Sequence, residues 1–433
     1  MNDTFSLLEK YIGISKYSKS EVITPQWVVS DMVDLLPADV FSPEAKFLDP
    51  AVKSGRFLVE IYNRLMESGL MKQAFPNEQY RHRHIIEKQL FGFATSMEAA
   101  IVVRKSLYDD PFYTGNIRFT SDKLTKELIQ GAFNNMRFDV VIGNPPYNKG
   151  MDIDFINLGF ELSTKYCVMI VPAKWQTAEA NQKIASEMTY GKFREKLVPH
   201  MSHVVFYPDC KDVFDIAIPE GITYFVLDKG IHSTCKIENR CKYVEGFNST
   251  TNRSILESQS LHNIGDEINK TLQNVPKFTF SPLAKDGNFD IWVGNQVSFG
   301  KTDRSYLVST TNNLLVTGIT TITDRAKHEW PSSNSALHIF RANTYNEAKS
   351  FESFIQTKFV RFMILMTIGS RSVMDNHHFR FVPVPTPDTK GHPYGHPDFK
   401  WDHIYTDKEL YQYYKLPQKY TDVIEAVIKE RKL

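Results

Sequence analysis

The feature that most constrains this chain is the stretch Phe138-Asp139-Val140-Val141-Ile142-Gly143-Asn144-Pro145-Pro146-Tyr147. Its first half is an apolar run of strand type. Its second half must turn, because two consecutive prolines fix φ, remove two backbone donors and keep the preceding residue out of the helical region. The Pro145 carbonyl has no helical ladder to join and is available to a site. Beside it stands the Asn144 side-chain oxygen, a second acceptor. Two rigid acceptors suit the task of holding an exocyclic NH2 group by both of its hydrogens. Tyr147 adds an aromatic face on which a planar base can stack. An isolated Asn-Pro-Pro reads more simply as a proline-rich turn. The strand ahead of it and a partner motif upstream favour the amino-group site.

The partner is Lys46-Phe47-Leu48-Asp49-Pro50-Ala51-Val52-Lys53-Ser54-Gly55-Arg56-Phe57-Leu58. A short strand ends in Asp49, a turn follows, and Phe57, Leu58, Ile61 and Leu65 begin an amphipathic helix. This is the opening of a Rossmann-like unit, whose ligand lies at the carboxyl end of the strand. Earlier still, Ile23-Thr24-Pro25-Gln26 precedes apolar residues at helical spacing, which makes Thr24 an N-cap and Pro25 a first-turn proline. A helix start offers free N–H groups and a hydroxyl, which suit a carboxylate. Residues 89–94, 117–122, 138–143 and 167–172 read as strands, with helical spacing at 97–103 and 154–162. The pairs 203–207 and 223–227 complete the sheet, the latter as an antiparallel edge. Such alternation predicts an α/β fold with a doubly wound sheet.

With 433 residues the chain is long enough for two or three domains. Apolar residues at 42% place it among globular proteins. A net charge of +1 means that any nucleic-acid partner is held by a local basic surface and not by a global field. Cysteines 167, 210, 235 and 241 have no metal or CxxC spacing and read as free thiols in a reducing compartment, so no metal is expected. The start of the chain has no signal-peptide pattern and no stretch is of membrane-spanning length, so a cytoplasmic protein is expected. After Lys229-Gly230 the periodic patterns shorten and Asn, Ser, Thr and Gly rise, which predicts a second domain of mixed α/β type. Near its end, Thr406 and Glu409 have the spacing of a capping box.

Taken together, these motifs resemble the S-adenosyl-L-methionine-dependent N6-adenine DNA methyltransferases of bacterial restriction–modification systems, whose catalytic turn is Asn-Pro-Pro-Tyr. The order of Thr-Pro, cofactor turn, catalytic turn and late recognition domain is similar to that of the gamma class. Segments 357–362, 379–383 and 401–416 resemble the family's carboxyl-terminal regions more loosely. The resemblance implies an N-terminal helical arm over 1–20, a Rossmann-like methyltransferase domain over 21–232 and a target-recognition domain over 233–433. In the family's cofactor turn, Asp-Pro-Ala-Cys-Gly-Ser-Gly-x-Phe-Leu, this chain matches at Asp49, Pro50, Ala51, Ser54, Gly55, Phe57 and Leu58. Val52 and Lys53 replace the Cys and the first Gly, and Ile23 stands where many relatives carry Tyr.

By the same resemblance Asn144, Pro145, Pro146 and Tyr147 are catalytic. Thr24, Asp49, Ala51, Lys53, Gly55, Phe57, Asp122 and Asn144 are expected to hold the cofactor, and Tyr147, Lys174, Trp175 and Phe214 to meet the target base. Most relatives end the second strand in an acid that accepts from the ribose. Here Ala94-Thr95-Ser96 stands there, and the expectation is that a hydroxyl or Glu98 substitutes or that the ribose is held loosely. The implied reaction is transfer of the sulfonium methyl to N6 of an adenine flipped out of double-stranded DNA. A separate cognate restriction endonuclease is the expected counterpart. Two rivals share features: protein glutamine methyltransferases have the same tetrapeptide on shorter chains, and a non-catalytic DNA-binding descendant would account for Lys53 and Ala94. Pro387-Asp388 with Asp398-Phe399-Lys400 has the formal spacing of a nuclease site, but in a Pro/Gly/His-rich loop rather than on a strand.

Overall fold

The computed structural model describes residues 22–278 except 148, 149, 183, 185, 187, 217 and 259, then 287–294, 307, 308, 310–312, 319–330, 336–367, 376–383 and 401–430. The expected helical arm and both halves of the nuclease-like spacing lie outside those residues.

The amino-terminal half is built on β1 (Phe47–Val52), β2 (Leu90–Ala94), β3 (Ile117–Phe119), β4 (Phe138–Gly143), β5 (Ser163–Pro172), β6 (Met201–Tyr207) and β7 (Ile222–Asp228). Their order is β3-β2-β1-β4-β5-β7-β6, and β8 (Cys235–Asn239) and β9 (Ser249–Arg253) extend the sheet beyond β6. Strands β3, β2, β1, β4 and β5 run parallel, and β7 is antiparallel to both of its neighbours. Helices α1 (Gln26–Asp34), α2 (Arg56–Glu67) and α3 (Met97–Tyr108) cover one face, packing on Val140, Ile142, Val168 and Ile170. Helices α4 (Lys126–Ala132), α5 (Met151–Leu162) and α6 (Tyr190–Leu197) cover the other, packing on Val141, Cys167, Met169 and Val171. Because successive side chains of a strand point to opposite faces, a strand apolar throughout must be covered on both sides. This is the doubly wound α/β fold expected from the sequence.

One expectation needs correction. The strand at 223–227 is not at an edge: β7 is inserted between β5 and β6, and its run Tyr224-Phe225-Val226-Leu227 fills both cores. The expected boundary at 232/233 falls between β7 and β8, inside a single nine-stranded sheet.

A separate core gathers side chains from Cys241 to Ile428. There a three-stranded antiparallel sheet, β10 (Phe289–Gly294) between β11 (Ile319–Asp324) and β12 (Leu337–Ala342), sits with α7 (Asn263–Thr271), α8 (Tyr345–Gln356), α9 (Lys358–Leu365), α10 (Asp407–Tyr413) and α11 (Gln418–Val427). Thr406 caps α10 by accepting from the Glu409 N–H, but the Glu409 carboxylate turns to His403 at 2.8 Å instead of closing the box. The complete capping box is at Thr344 and Glu347, opening α8.

Helix α1 is fastened to the far side of the first sheet. Arg240, just past β8, donates to Asp31 of α1 at 2.6 Å and to Glu238 at 2.8 Å, and the Tyr224 hydroxyl donates to the same Asp31 oxygen. Below β4, Phe138 is fully buried between Phe91 and Phe133. Phe138→Ala is expected to destabilise the amino-terminal domain by about 3–5 kcal/mol, since the cavity cannot close around a backbone held on both sides. A urea midpoint unchanged from the wild-type chain would contradict this packing.

Candidate functional site

Parallel pairing sets the site. β1 and β4 are neighbours, with Phe47 opposite Val140 and Leu48 opposite Val141, so their carboxyl ends open side by side. Asp49 stands on one and Gly143-Asn144 follows the other. A Cβ built on Gly143 would lie 2.8 Å from Asp49 Oδ1, so only glycine lets the two turns approach this closely. Gly55, at the head of α2, has φ +76°, and a Cβ there would meet Val103 of α3 at 2.9 Å. This glycine is demanded twice, by its conformation and by the close packing of α3.

The turns enclose a cleft of about 260 Å³ lined by Ile23, Thr24, Asp49, Ala51, Lys53, Ser54, Gly55, Arg56, Phe57 and Asn144. Seven of the residues expected at the cofactor therefore surround one space. Asp49 is buried, and its Oδ1 accepts from the Ala51 N–H at 2.9 Å. Burial pushes its carboxyl up to about 7, against the opposing pull of that hydrogen bond and of the Lys53 ammonium. Lys53 is itself buried and donates to the Val22 carbonyl at 3.4 Å. Arg56 donates to the Thr24 carbonyl at 2.9 Å.

Asn144 is 3% exposed. Its Nδ2 donates to the Val22 carbonyl and to Thr24 Oγ1, each at 3.1 Å. Its Oδ1 is buried without a hydrogen-bond partner. An orphaned buried acceptor is expensive to keep, on the order of 1–3 kcal/mol, and marks a place where a donor belongs. The expected N-cap role of Thr24 does not hold: Pro25 occupies the cap position of α1, which has no side-chain cap, and the Thr24 hydroxyl accepts from Asn144 instead. Pro145 is buried beside Asn144, and Pro146 is half-buried. Tyr147 is half-buried against both cores, with its hydroxyl donating to the Ile170 carbonyl at 3.3 Å. Burial raises that hydroxyl well above its ordinary value, so it stays neutral.

Other expected residues lie elsewhere. Trp175 is fully buried against Phe193 and Phe225, and Phe214 is 4% exposed in the opposite core; neither presents a face to a base. Both apolar rings are absorbed by packing around the end of β5 and the turn after β6. Lys174 is half-buried and acts electrostatically on Asp152. Asp122 is exposed in a local turn with Thr120 and is not among the cleft residues. At the end of β2, Ser96 caps α3 by accepting from the Ala99 N–H, and Thr95 is pinned to the Val52 carbonyl. Glu98 is exposed in the first turn of α3.

Sequence reasoning missed three contributors. The Val22 carbonyl is invisible in side-chain motifs, and Arg56 falls at the variable position of the cofactor turn. Asp152 lies in the first turn of α5, and burial pushes its carboxyl up to about 7. An acid in the first helical turn after the Asn-Pro-Pro-Tyr turn was its available signal. Among the described residues no group of three His, Cys, Asp or Glu side chains could hold a metal ion, and no helix is long and apolar enough to cross a membrane. The four cysteines are buried and unpaired.

Residues 5–174 match the family model of the N-6 DNA methylases. An uncharacterized adenine-specific methylase of Mycoplasma pneumoniae is 28% identical over 298 residues, which are 49% of this chain and 68% of that protein. Among solved structures, the M protein of the type I restriction enzyme EcoKI aligns with a TM-score of 0.38 at 14% identity, over 50% of this chain and 48% of its own. The type I restriction–modification methyltransferase subunit of Streptococcus thermophilus aligns with a TM-score of 0.36 at 18% identity, over 55% and 53%. The chain thus spans about half the length of these solved relatives.

The raised Asp49 carboxyl has a consequence for stability. Folded, it holds its proton up to about 7; unfolded, it releases it above the ordinary 3.8. Its contribution is fully present below 3.8 and is lost as the pH rises through about 7. Asp49→Asn is expected to lose less stability across that interval than the wild-type chain, with Asp152 sustaining a residual slope. Parallel thermal-midpoint profiles for the two would contradict the burial argument.

Proposed function

We propose that this chain transfers a methyl group from S-adenosyl-L-methionine to N6 of an adenine in DNA. The observation that carries the reading is the buried, unpartnered Oδ1 of Asn144 at the end of β4. The likeness of residues 5–174 to N-6 DNA methylases supports it, as does the adenine-specific methylase of Mycoplasma pneumoniae.

The cleft residues fit the amino-acid end of the cofactor. The Lys53 ammonium and the N–H groups at the start of α2 suit a carboxylate, and Asp49, when ionised, suits an ammonium. Gly55 and Gly143 keep side chains out of the approach. S-adenosyl-L-methionine, when bound, supplies an electrophilic methyl group on sulfonium sulfur. The chain's task is to make an amine nucleophilic, since the adenine N6 lone pair is delocalised into the ring. Asn144 Oδ1 and the Pro145 carbonyl accept the two amino hydrogens, which favours a pyramidal nitrogen and frees the lone pair. The Tyr147 ring offers a face to the base, which must leave the duplex to reach the turn. Cores that already hold Trp175 and Phe214 leave base stacking to Tyr147.

In this reading the nine-stranded sheet performs the chemistry and the carboxyl-terminal core holds the DNA. A separate restriction endonuclease is the counterpart, and a cytoplasmic location follows from the substrate. Asn144→Ala is expected to bind S-adenosyl-L-methionine with an affinity close to the wild-type value and to lose methyl transfer on the order of 1,000-fold or more. Turnover within about tenfold of the wild type would refute the assignment of Asn144 as the amino-group acceptor.

A further inference from the structure

An asparagine amide is useful to this chemistry in only one of its two orientations. Turned by 180° about its last bond, Asn144 would present two donors to the target amino group and no acceptor. The Val22 carbonyl decides the orientation, and the Thr24 hydroxyl, which can donate or accept, follows it. The Val22 carbonyl can only accept, so the Asn144 atom 3.1 Å from it must be the nitrogen. Thr24 Oγ1, also at 3.1 Å, takes the second amide hydrogen. The reversed amide would set oxygen against a carbonyl oxygen in a buried place and leave the nitrogen without acceptors, two penalties that reinforce each other.

The strap that carries these two acceptors is itself held from the cofactor turn. Lys53 donates to the Val22 carbonyl and Arg56 donates to the Thr24 carbonyl, one on each side of Gly55. On its carboxyl side the strap runs into α1, which Arg240 and Tyr224 fasten through Asp31. The Thr24 hydroxyl has no capping duty that would otherwise account for a hydroxyl at this position.

We propose that Thr24 is a positioning residue: the Val22 carbonyl selects the orientation of the Asn144 amide, and the Thr24 hydroxyl, by accepting its second hydrogen, holds the amide where oxygen, and not nitrogen, meets the target amino group. The inference rests on the methyl-transfer reading and differs from the carboxylate-binding role that the Thr-Pro motif implies. It also gives the cofactor turn a physical link to the catalytic turn, through Lys53, Arg56 and the strap.

Thr24→Val keeps the shape of the side chain and removes the acceptor. The single-turnover rate of methyl transfer is expected to fall on the order of 10-fold, with the S-adenosyl-L-methionine Kd, read by isothermal titration calorimetry, changed by less than about twofold. Thr24→Ser, which restores the hydroxyl, is expected to recover the rate. Should the valine variant not fold, Thr24→Ala carries the same expectation. A weakened cofactor Kd with an unchanged rate would assign Thr24 to the cofactor and overturn the proposal; so would a rate equal to the wild type. Transfer by the wild-type chain separates the two claims. Its absence removes the methyl-transfer reading and the lock together, whereas wild-type transfer with an unaffected Thr24→Val removes the lock alone.

Discussion

The parallel pairing of β1 with β4 determines what the amino-terminal half can do. It places two strand ends side by side, one leading through Asp49 into a helix and the other through Gly143 into a double-proline turn. Had either strand run the other way, Asp49 and Asn144 would lie at opposite edges of the sheet. The approach is close enough that Gly143 tolerates no side chain against the Asp49 carboxylate. Backbone hydrogen bonds from Asp139 and Val140 to the Lys46 carbonyl, and from the Lys46 N–H to the Asp139 side chain, fix the register where the two strands begin. A slip of one residue would exchange the side chains that each strand gives to the two cores and carry Asp49 away from Gly143.

Burial gives the site its chemical character. Asp49 and Asp152 flank the Asn-Pro-Pro-Tyr turn from β1 and from α5, and desolvation raises both carboxyls to about 7. Near neutral pH their charge therefore responds to whatever binds beside them. Lys53 and Lys174, one near each acid, pull in the opposite direction. Asn144 adds an acceptor that does not titrate, with both amide hydrogens already committed to residues 22–24. A neutral, oriented acceptor suits a neutral amine better than a carboxylate would, since no charge has to be desolvated when the base enters.

Much of this was legible in the sequence because local chemistry dictated it. Asn144-Pro145-Pro146 can only turn, and Asp49 to Gly55 can only be a strand-to-helix connection, so the doubly wound sheet and seven of the cleft residues followed. What escaped depended on partners distant in sequence. The internal place of β7 required recognising that Tyr224, Phe225, Val226 and Leu227 are apolar on both faces, a pattern that an edge strand does not need. The Thr24 hydroxyl looked like a helix cap because caps are local, but Asn144 lies 120 residues away and competes successfully for it. Trp175 and Phe214 are aromatic and close in sequence to the site, yet packing buried them. Asp122 had the right position along the chain, but its turn with Thr120 leaves it exposed. Sequence order does not report which way a side chain turns at the end of a strand.

In the reading we propose, the cleft and the Asn144 turn act together on an adenine amino group. The most direct measurement is transfer of labelled methyl from S-adenosyl-L-methionine to unmethylated bacterial genomic DNA, followed by digestion and nucleoside analysis. Label in N6-methyladenine is the predicted result. Cofactor binding without label in the DNA would contradict the claim, and would direct the same pair of acceptors toward a protein amide or RNA instead.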